Sequence, residues 1–275
     1  MEANRKASKK WLVYTILIIG SLVMIGPFLW MILTSLKTIS ESTRIPMTIF
    51  PETARWQNYL RALDVLPFVI LFYNTFVMMV ARVFFCIAFS SMAGYAFAKL
   101  DFKWKNILFT LVIVQLMLPA QIFIIPQYMM VSWLGWLNSI KALVFPGIVS
   151  AFGVFFLRQF YMGIPDELIE AAYLDGCTPW QVFYKIMLPL SKTPLIALSI
   201  FTAIFAWSDL MWPLIVNMSM NKMTLASGLA SLQGQVLTDY PVMMAGAFLA
   251  MIPMIVLYSL FQKQFVEGIA LTGGK

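Results

Sequence analysis

Six long runs of apolar residues constrain this chain more than any other feature: Trp11–Leu33, Phe68–Ala98, Ile107–Val131, Ile140–Leu157, Pro194–Val216 and Pro241–Phe261. A helix crosses a bilayer with about 20 mostly apolar residues, within a range of about 17–25 and longer if tilted; each run reaches that length, and Phe68–Ala98 exceeds it. Composition agrees, since 61% of the 275 residues are hydrophobic and only 11% are charged, against about 45–50% and about 25% in soluble domains. The chain is therefore expected to be an all-α, polytopic membrane bundle, a single transmembrane domain over residues 1–275 with six spans and short loops.

The few charges are informative about orientation. With the N-terminus inside, twelve of the nineteen Lys and Arg fall on the cytoplasmic side, among them Lys9, Lys99, Lys103, Lys105, Arg158 and Lys185. Six fall outside (Lys37, Arg44, Arg55, Arg61, Lys141 and Lys222), and Arg82 stays within the membrane. Basic residues favour cytoplasmic loops, so both termini are expected in the cytoplasm. The net charge of +7 then needs no nucleic-acid partner. The basic N-terminus before an apolar run resembles a signal peptide, but the run is roughly twice an h-region and lacks an Ala-x-Ala site. It reads as an uncleaved first span. Histidine is absent and the two cysteines, Cys86 and Cys177, lie far apart, so no catalytic Ser-His-Asp or Cys-His arrangement, zinc cluster or disulfide is expected.

Between the fourth and fifth runs lies a loop, Arg158–Thr193, with strong helix punctuation. Pro165-Asp166-Glu167 is a helix start, with proline in the first turn and carboxylates at the positive end of the dipole. Gly176 suits a left-handed C-terminal cap. A second helix follows: Thr178 as N-cap, Pro179 at the first position, Gln181 completing a capping box, and Leu188-Pro189 ending it. The apolar residues predict amphipathic helices, with Leu168, Ile169, Ala171, Ala172, Tyr173 and Leu174 on the first and Val182, Phe183, Ile186 and Met187 on the second. An interfacial helix normally carries basic residues on its polar face, whereas the first helix has Asp166, Glu167, Glu170 and Asp175. An anionic inner leaflet repels it; a basic protein groove suits it.

The pattern Glu170-Ala171-Ala172, Gly176, Ile186, Leu188-Pro189 resembles the EAA loop of ATP-binding-cassette importer permeases in residue type and spacing. Further matches resemble the carbohydrate-type permeases, above all the smaller membrane subunits of maltose-type and glycerol-3-phosphate-type importers. They are Asn58-Tyr59, Ala93–Ala98, Pro119 and Pro126, Leu134-Gly135 with Asn138, Phe205–Asp209 with Trp212-Pro213-Leu214, and the tail Phe265–Gly268 with Gly273-Gly274-Lys275. Ser208 departs from the pattern, where relatives commonly carry Asn. The resemblance implies a permease that pairs with a second permease subunit, expected to differ from it. It also implies two ATPase subunits that bind ATP and Mg, and an external solute-binding protein. It implies that Glu170 pairs with a basic residue of the ATPase, that Ala171 and Ala172 allow close docking, and that Asp175, Gly176, Ile186, Leu188 and Pro189 shape the same coupling element. The chain carries no G-x-x-x-x-G-K-[ST] loop, so the ATP site lies in trans.

For the translocation path the sequence offers Asn74, Arg82, Gln115, Trp207, Asp209 and Trp212. An ionisable residue within a span is by default functional and faces the bundle interior. Arg82 and Asp209 differ in expected depth by roughly 10 Å at about 1.5 Å per residue, within reach of a long arginine, so a structural ion pair and a polar pathway lining both remain open. Asn74 lies two turns above Arg82 on nearly the same side. Trp207 and Trp212 are either sugar-stacking faces or interface anchors. Ser90, Ser91, Ala93 and Gly94 read as helix packing. A permease for a phosphorylated polyol or an amino acid, a secondary transporter and a membrane-embedded enzyme are the alternatives.

Overall fold

The computed structural model describes residues 2–232 and 239–273, with side-chain surroundings for residues 10–11, 13–232 and 239–262. Gly274 and Lys275 of the tail motif, and the side chains of Phe265–Gly268 and of Arg5, Lys6, Lys9 and Lys263, lie outside the described residues. Among the described residues every regular element is helical. Three helices are long and apolar enough to cross a membrane by themselves, within Val13–Ser35, Phe68–Lys99 and Tyr240–Gln262. Three further segments are bent pairs: Lys105–Met117 with Ala120–Trp133 at 108°, Ile140–Gly147 with Ala151–Met162 at 41°, and Pro179–Leu190 with Lys192–Ser208 at 77°. Six spans result when each pair is taken as one.

The third, fourth and fifth runs, expected as unbroken spans, are interrupted; the 77° bend of the last pair lies at Ser191, ahead of the fifth run, which breaks instead at Asp209. Pro119 stands at the sharpest bend, Pro146 precedes the second, and the fifth run stops at Ser208 because Asp209 is extended (φ −65°, ψ 114°). Hydropathy counts apolar residues and does not see a lost backbone N–H. In hydrocarbon such breaks are tolerated only where protein groups take over the freed backbone partners.

Contacts divide the chain into two compact units, Met1–Pro67 with Ser231–Ile252, and Phe68–Ala230 with Pro253–Lys275. In the first unit, helix α1 (Glu2–Ser35) is exposed from Val13 to Leu29 apart from a half-buried Gly26, and it leads into a segment that forms a small cap. That segment holds α2 (Ile39–Thr43) and α3 (Gln57–Val65). Asn58 donates to the carbonyls of Ser35 at 2.8 Å and Lys37 at 2.9 Å. Tyr59 hydrogen-bonds Ser35 at 2.8 Å and meets Phe248 edge-on. These two residues of the Asn-Tyr motif therefore stitch the cap. Glu41, buried, accepts from the backbone N–H groups of Thr38 at 2.9 Å and Glu52 at 2.7 Å, and these bonds hold its carboxyl below the usual range.

In the second unit α4 (Phe68–Lys99) is the central element. Leu71, Thr75, Met78, Arg82, Cys86, Ser90 and Gly94 recur every three or four residues and are buried, a single stripe at helical period. It packs on α8 (Ala151–Met162) and on α11 (Lys192–Ser208), numbered after α5 (Lys105–Met117), α6 (Ile124–Trp133), α7 (Ile140–Val144), α9 (Glu167–Leu174) and α10 (Pro179–Leu190). The remaining helices are α12 (Met211–Val216), α13 (Leu225–Ala230) and α14 (Tyr240–Gly273). Close approach comes from the small residues: a Cβ on Gly153 of α8 would sit 2.4 Å from the Ser90 hydroxyl. Van der Waals fit of this kind, with interhelical hydrogen bonds, holds helices together where lipid removes the hydrophobic drive.

Candidate functional site

The break after α7 builds one side of a cavity. Pro146 has no N–H, so the carbonyl of Ala142, four residues earlier, lacks its helical partner. The indole Nε1 of Trp212 donates to that oxygen at 2.8 Å. Arg82 serves the next carbonyl, placing Nε 2.9 Å and Nη2 2.5 Å from the oxygen of Leu143. Its Nη1 lies 2.8 Å from Oδ2 of Asp209, which occupies the break between α11 and α12. Gly147 makes the room: a Cβ there would lie 2.4 Å from Cδ of Arg82. The charge in the middle of the α4 stripe is thus neutralised and hydrogen-bonded, as a buried ion requires.

Arg82, Asp209, Trp212 and Gln115 line a common cavity of about 570 Å³, together with Gln121, Gln127, Ser150, Thr202 and the aromatic rings of Phe123, Phe152 and Phe205. Gln115 stands in the last turn of α5, while Gln121 and Gln127 lie beyond the 108° bend. The bend brings the three amides to one space. Asn74 and Trp207 are not among its lining residues. Asn74 instead donates to the carbonyls of Asn221 at 3.0 Å and Met223 at 2.9 Å, fastening the segment before α13 to α4. Trp207 is buried with its ring edge-on to Phe72 at 5.6 Å.

The second site is the helix pair of α9 and α10. In α9 the N–H of Gly176 bonds the carbonyl of Tyr173 at 3.0 Å and that of Cys177 bonds Ala172 at 2.9 Å, with Gly176 at φ +81°. This is a Schellman cap, and its left-handed residue favours glycine. Thr178 and Gln181 form the capping box of α10. Helix α10 does not stop at Leu188-Pro189, as its sequence predicts, but continues to Leu190 through a π turn at Phe183–Met187. The wider turn pairs the N–H of Leu188 with the carbonyl of Phe183, five residues back, so Pro189 is accommodated. Single π turns inside α-helices recur at functional sites.

The amphipathic faces also divide more finely than expected. Ile169, Ala172, Val182, Phe183 and Met187 join Tyr95, Phe156, Leu157, Tyr161, Ala197 and Leu198 in one core, with Ile186 and Leu188 packed at its margin. Glu170, Ala171, Asp175, Gly176 and Pro189 are exposed. Leu168 and Tyr173 are exposed too, and Leu174 is 90% exposed. So the two alanines part ways: Ala172 seats the helix on the bundle and Ala171 is on its outer side.

Two tie residues were legible only as topology marks or motif members. Lys99, at the end of α4, donates to Asp166 at 2.5 Å and to the carbonyl of Ile164 at 2.6 Å. Tyr95 donates to the carbonyl of Pro179 at 3.2 Å. Together they fasten both short helices to α4. Nothing in local spacing marks such pairs, which lie 67 and 84 positions apart.

A family model described as binding-protein-dependent transport system inner membrane component matches residues 86–270. The arabinooligosaccharides transport system permease protein AraQ of Halalkalibacterium halodurans is 34% identical over 256 residues, 92% of this chain and 92% of that protein. The sn-glycerol-3-phosphate transport system permease protein UgpE of Pectobacterium atrosepticum is 33% identical, with 93% and 94% covered. Among solved structures, a chain of a bacterial ABC transporter involved in the import of the acidic polysaccharide alginate superposes with a TM-score of 0.79, covering 95% of this chain and 98% of that one at 21% identity.

Proposed function

The chain belongs to the family of binding-protein-dependent transport system inner membrane components, and from that premise we propose that it forms half of the pathway of an ATP-driven importer for a carbohydrate or related neutral polar solute. It is a multi-pass permease of the inner membrane and not the ATPase of its system. Its proposed partners are a second, different permease subunit, two ATPase subunits that bind ATP and Mg, and an external solute-binding protein. The basic residues support an arrangement with both termini and residues 158–193 on the cytoplasmic face.

The lining of this half of the pathway supports a neutral cargo. Arg82 is the one Lys or Arg among its lining residues, and Asp209 already engages it at 2.8 Å. A phosphorylated polyol, the cargo suggested by the glycerol-3-phosphate relatives, would need a cation without such a partner. Three amides and several aromatic rings suit hydroxyl hydrogen bonding and ring stacking instead. Transport then proceeds by alternating access, with closure of the ATPases moving the α9–α10 pair and, through Lys99 and Tyr95, α4.

The observation that carries this reading is the α9–α10 pair itself, buried on one side in the bundle core and exposed on the other at Glu170, Ala171 and Leu174. Glu170→Ala and Gly176→Ala in the reconstituted importer are expected to hydrolyse ATP without uptake while inserting normally. Unchanged uptake in both variants overturns the coupling role. Orientation has its own test, because Cys177 is half-buried beside the turn and Cys86 is buried. A membrane-impermeant maleimide should label Cys177 in inside-out vesicles and not in intact cells; labelling in intact cells reverses the topology.

A further inference from the structure

A second cavity, of about 820 Å³, opens where the end of α4, the turn Leu100–Trp104, the start of α5 and the end of α8 meet. Three cations line it, Lys103, Lys105 and Arg158, against one acid, Asp101. Asp101 reaches only Lys105, at 3.4 Å, and is fully exposed. Lys103 has no carboxylate partner among the described residues. Arg158 is held in place by its own stem: Nε donates to the carbonyl of Phe97 at 3.3 Å and the guanidinium lies 3.9 Å from the ring centre of Phe109. Neither contact neutralises it. The cavity therefore keeps an excess of positive charge.

Its rim is apolar. Trp104 is 60% exposed, Ile107 54% and Met162 52%. Trp104 also holds a left-handed backbone, φ +72°, a conformation that costs a bulky residue of order 1 kcal/mol or more. Cations beside exposed apolar and tryptophan side chains, at the ends of spans, match the chemistry of a lipid at the boundary between headgroup and acyl chain. A free phosphate would gain nothing from that rim.

We propose that this cleft binds the phosphate headgroup of an anionic phospholipid, with Lys103 and Lys105 as the mobile cations and Arg158 as the fixed one. The site rests on the membrane reading above and not on the cargo or on the coupling role of Glu170. A bound lipid would brace the α4–α5 turn next to Lys99, whose ammonium holds Asp166 at the start of α9.

The test uses the assembled importer, purified in detergent, stripped of lipid and titrated with phosphatidylglycerol or phosphatidylcholine, with bound lipid counted by native mass spectrometry. Phosphatidylglycerol should be retained preferentially, and inorganic phosphate should not displace it. At about fivefold per basic residue near an anionic headgroup, Lys103→Gln with Lys105→Gln should weaken retention by roughly 25-fold, while Lys141→Gln in α7 leaves it unchanged. Equal retention of the two lipids by the unaltered importer, displacement by inorganic phosphate, or full retention by an assembled double variant overturns the proposal. If the double variant does not assemble, the first two measurements decide. An importer that transports normally yet shows no lipid preference refutes this site alone.

Discussion

Arg82 shows how much one side chain decides in an apolar bundle. Its guanidinium is shared between the Leu143 carbonyl and Asp209, so Arg82→Met leaves a carboxylate and a carbonyl without their donors. Loss of one partner of a buried pair costs about 3–5 kcal/mol, and the thermal midpoint of the detergent-purified subunit should fall accordingly. Arg82→Met combined with Asp209→Leu should recover most of the stability. If uptake recovers as well, the pair is structural only; if assembly returns without uptake, it serves the pathway. Trp212→Phe removes a single indole N–H from the Ala142 carbonyl and should cost about 1–3 kcal/mol, the penalty of an unsatisfied buried acceptor. Gly147→Ala should act through Arg82, because the new methyl occupies the space of Cδ. At the other end of the size scale, Glu41 titrates. Two backbone N–H bonds lower its pKa below the ordinary 4.5, so its contribution to the cap is complete above that value and is lost as pH falls through the lowered folded value. The protection factors of the amides of residues 38–52, intrinsic exchange rates divided by observed ones at each pH, should stay constant above about pH 5 and fall below it, and Glu41→Gln should remove that dependence.

Helices α9 and α10 were the elements most open to reading from sequence, because their signals are local. Proline, threonine, glutamine and glycine at fixed offsets state where a short helix starts and stops, and the caps formed from those residues. Thr178→Ala should therefore loosen α10 by about 1 kcal/mol, visible as faster hydrogen exchange at residues 179–182 with no change in α9. The π turn at Phe183–Met187 was not legible. The local signal, Pro189, predicts the end of the helix, whereas the turn carries the chain past it with Phe183 and Met187 seated in the core. The long spans behave in the opposite way. Their existence follows from apolar length alone, whereas their breaks at Leu118–Pro119, Ile148–Ser150 and Asp209–Leu210 follow from backbone groups that a neighbouring helix must satisfy.

For the whole molecule, the division of labour lies between a buried inner side of the α9–α10 pair and its exposed outer side. Leu174, 90% exposed, belongs to no core among the described residues. Leu174→Asp should leave the melting of the isolated permease unchanged and abolish co-purification of the ATPase; retention of the ATPase would remove Leu174 from the docking surface. Sequence by itself determined the membrane setting, the six apolar segments, the short helix pair with its acidic first member and its caps, since each depends on residues adjacent in the chain or one helical turn apart. Tertiary structure alone decided which polar residues share a cavity. It gathered Arg82, Gln115, Asp209 and Trp212 and left Asn74 and Trp207 elsewhere, because side chains up to 130 positions apart meet only where packed helices and broken backbones bring them.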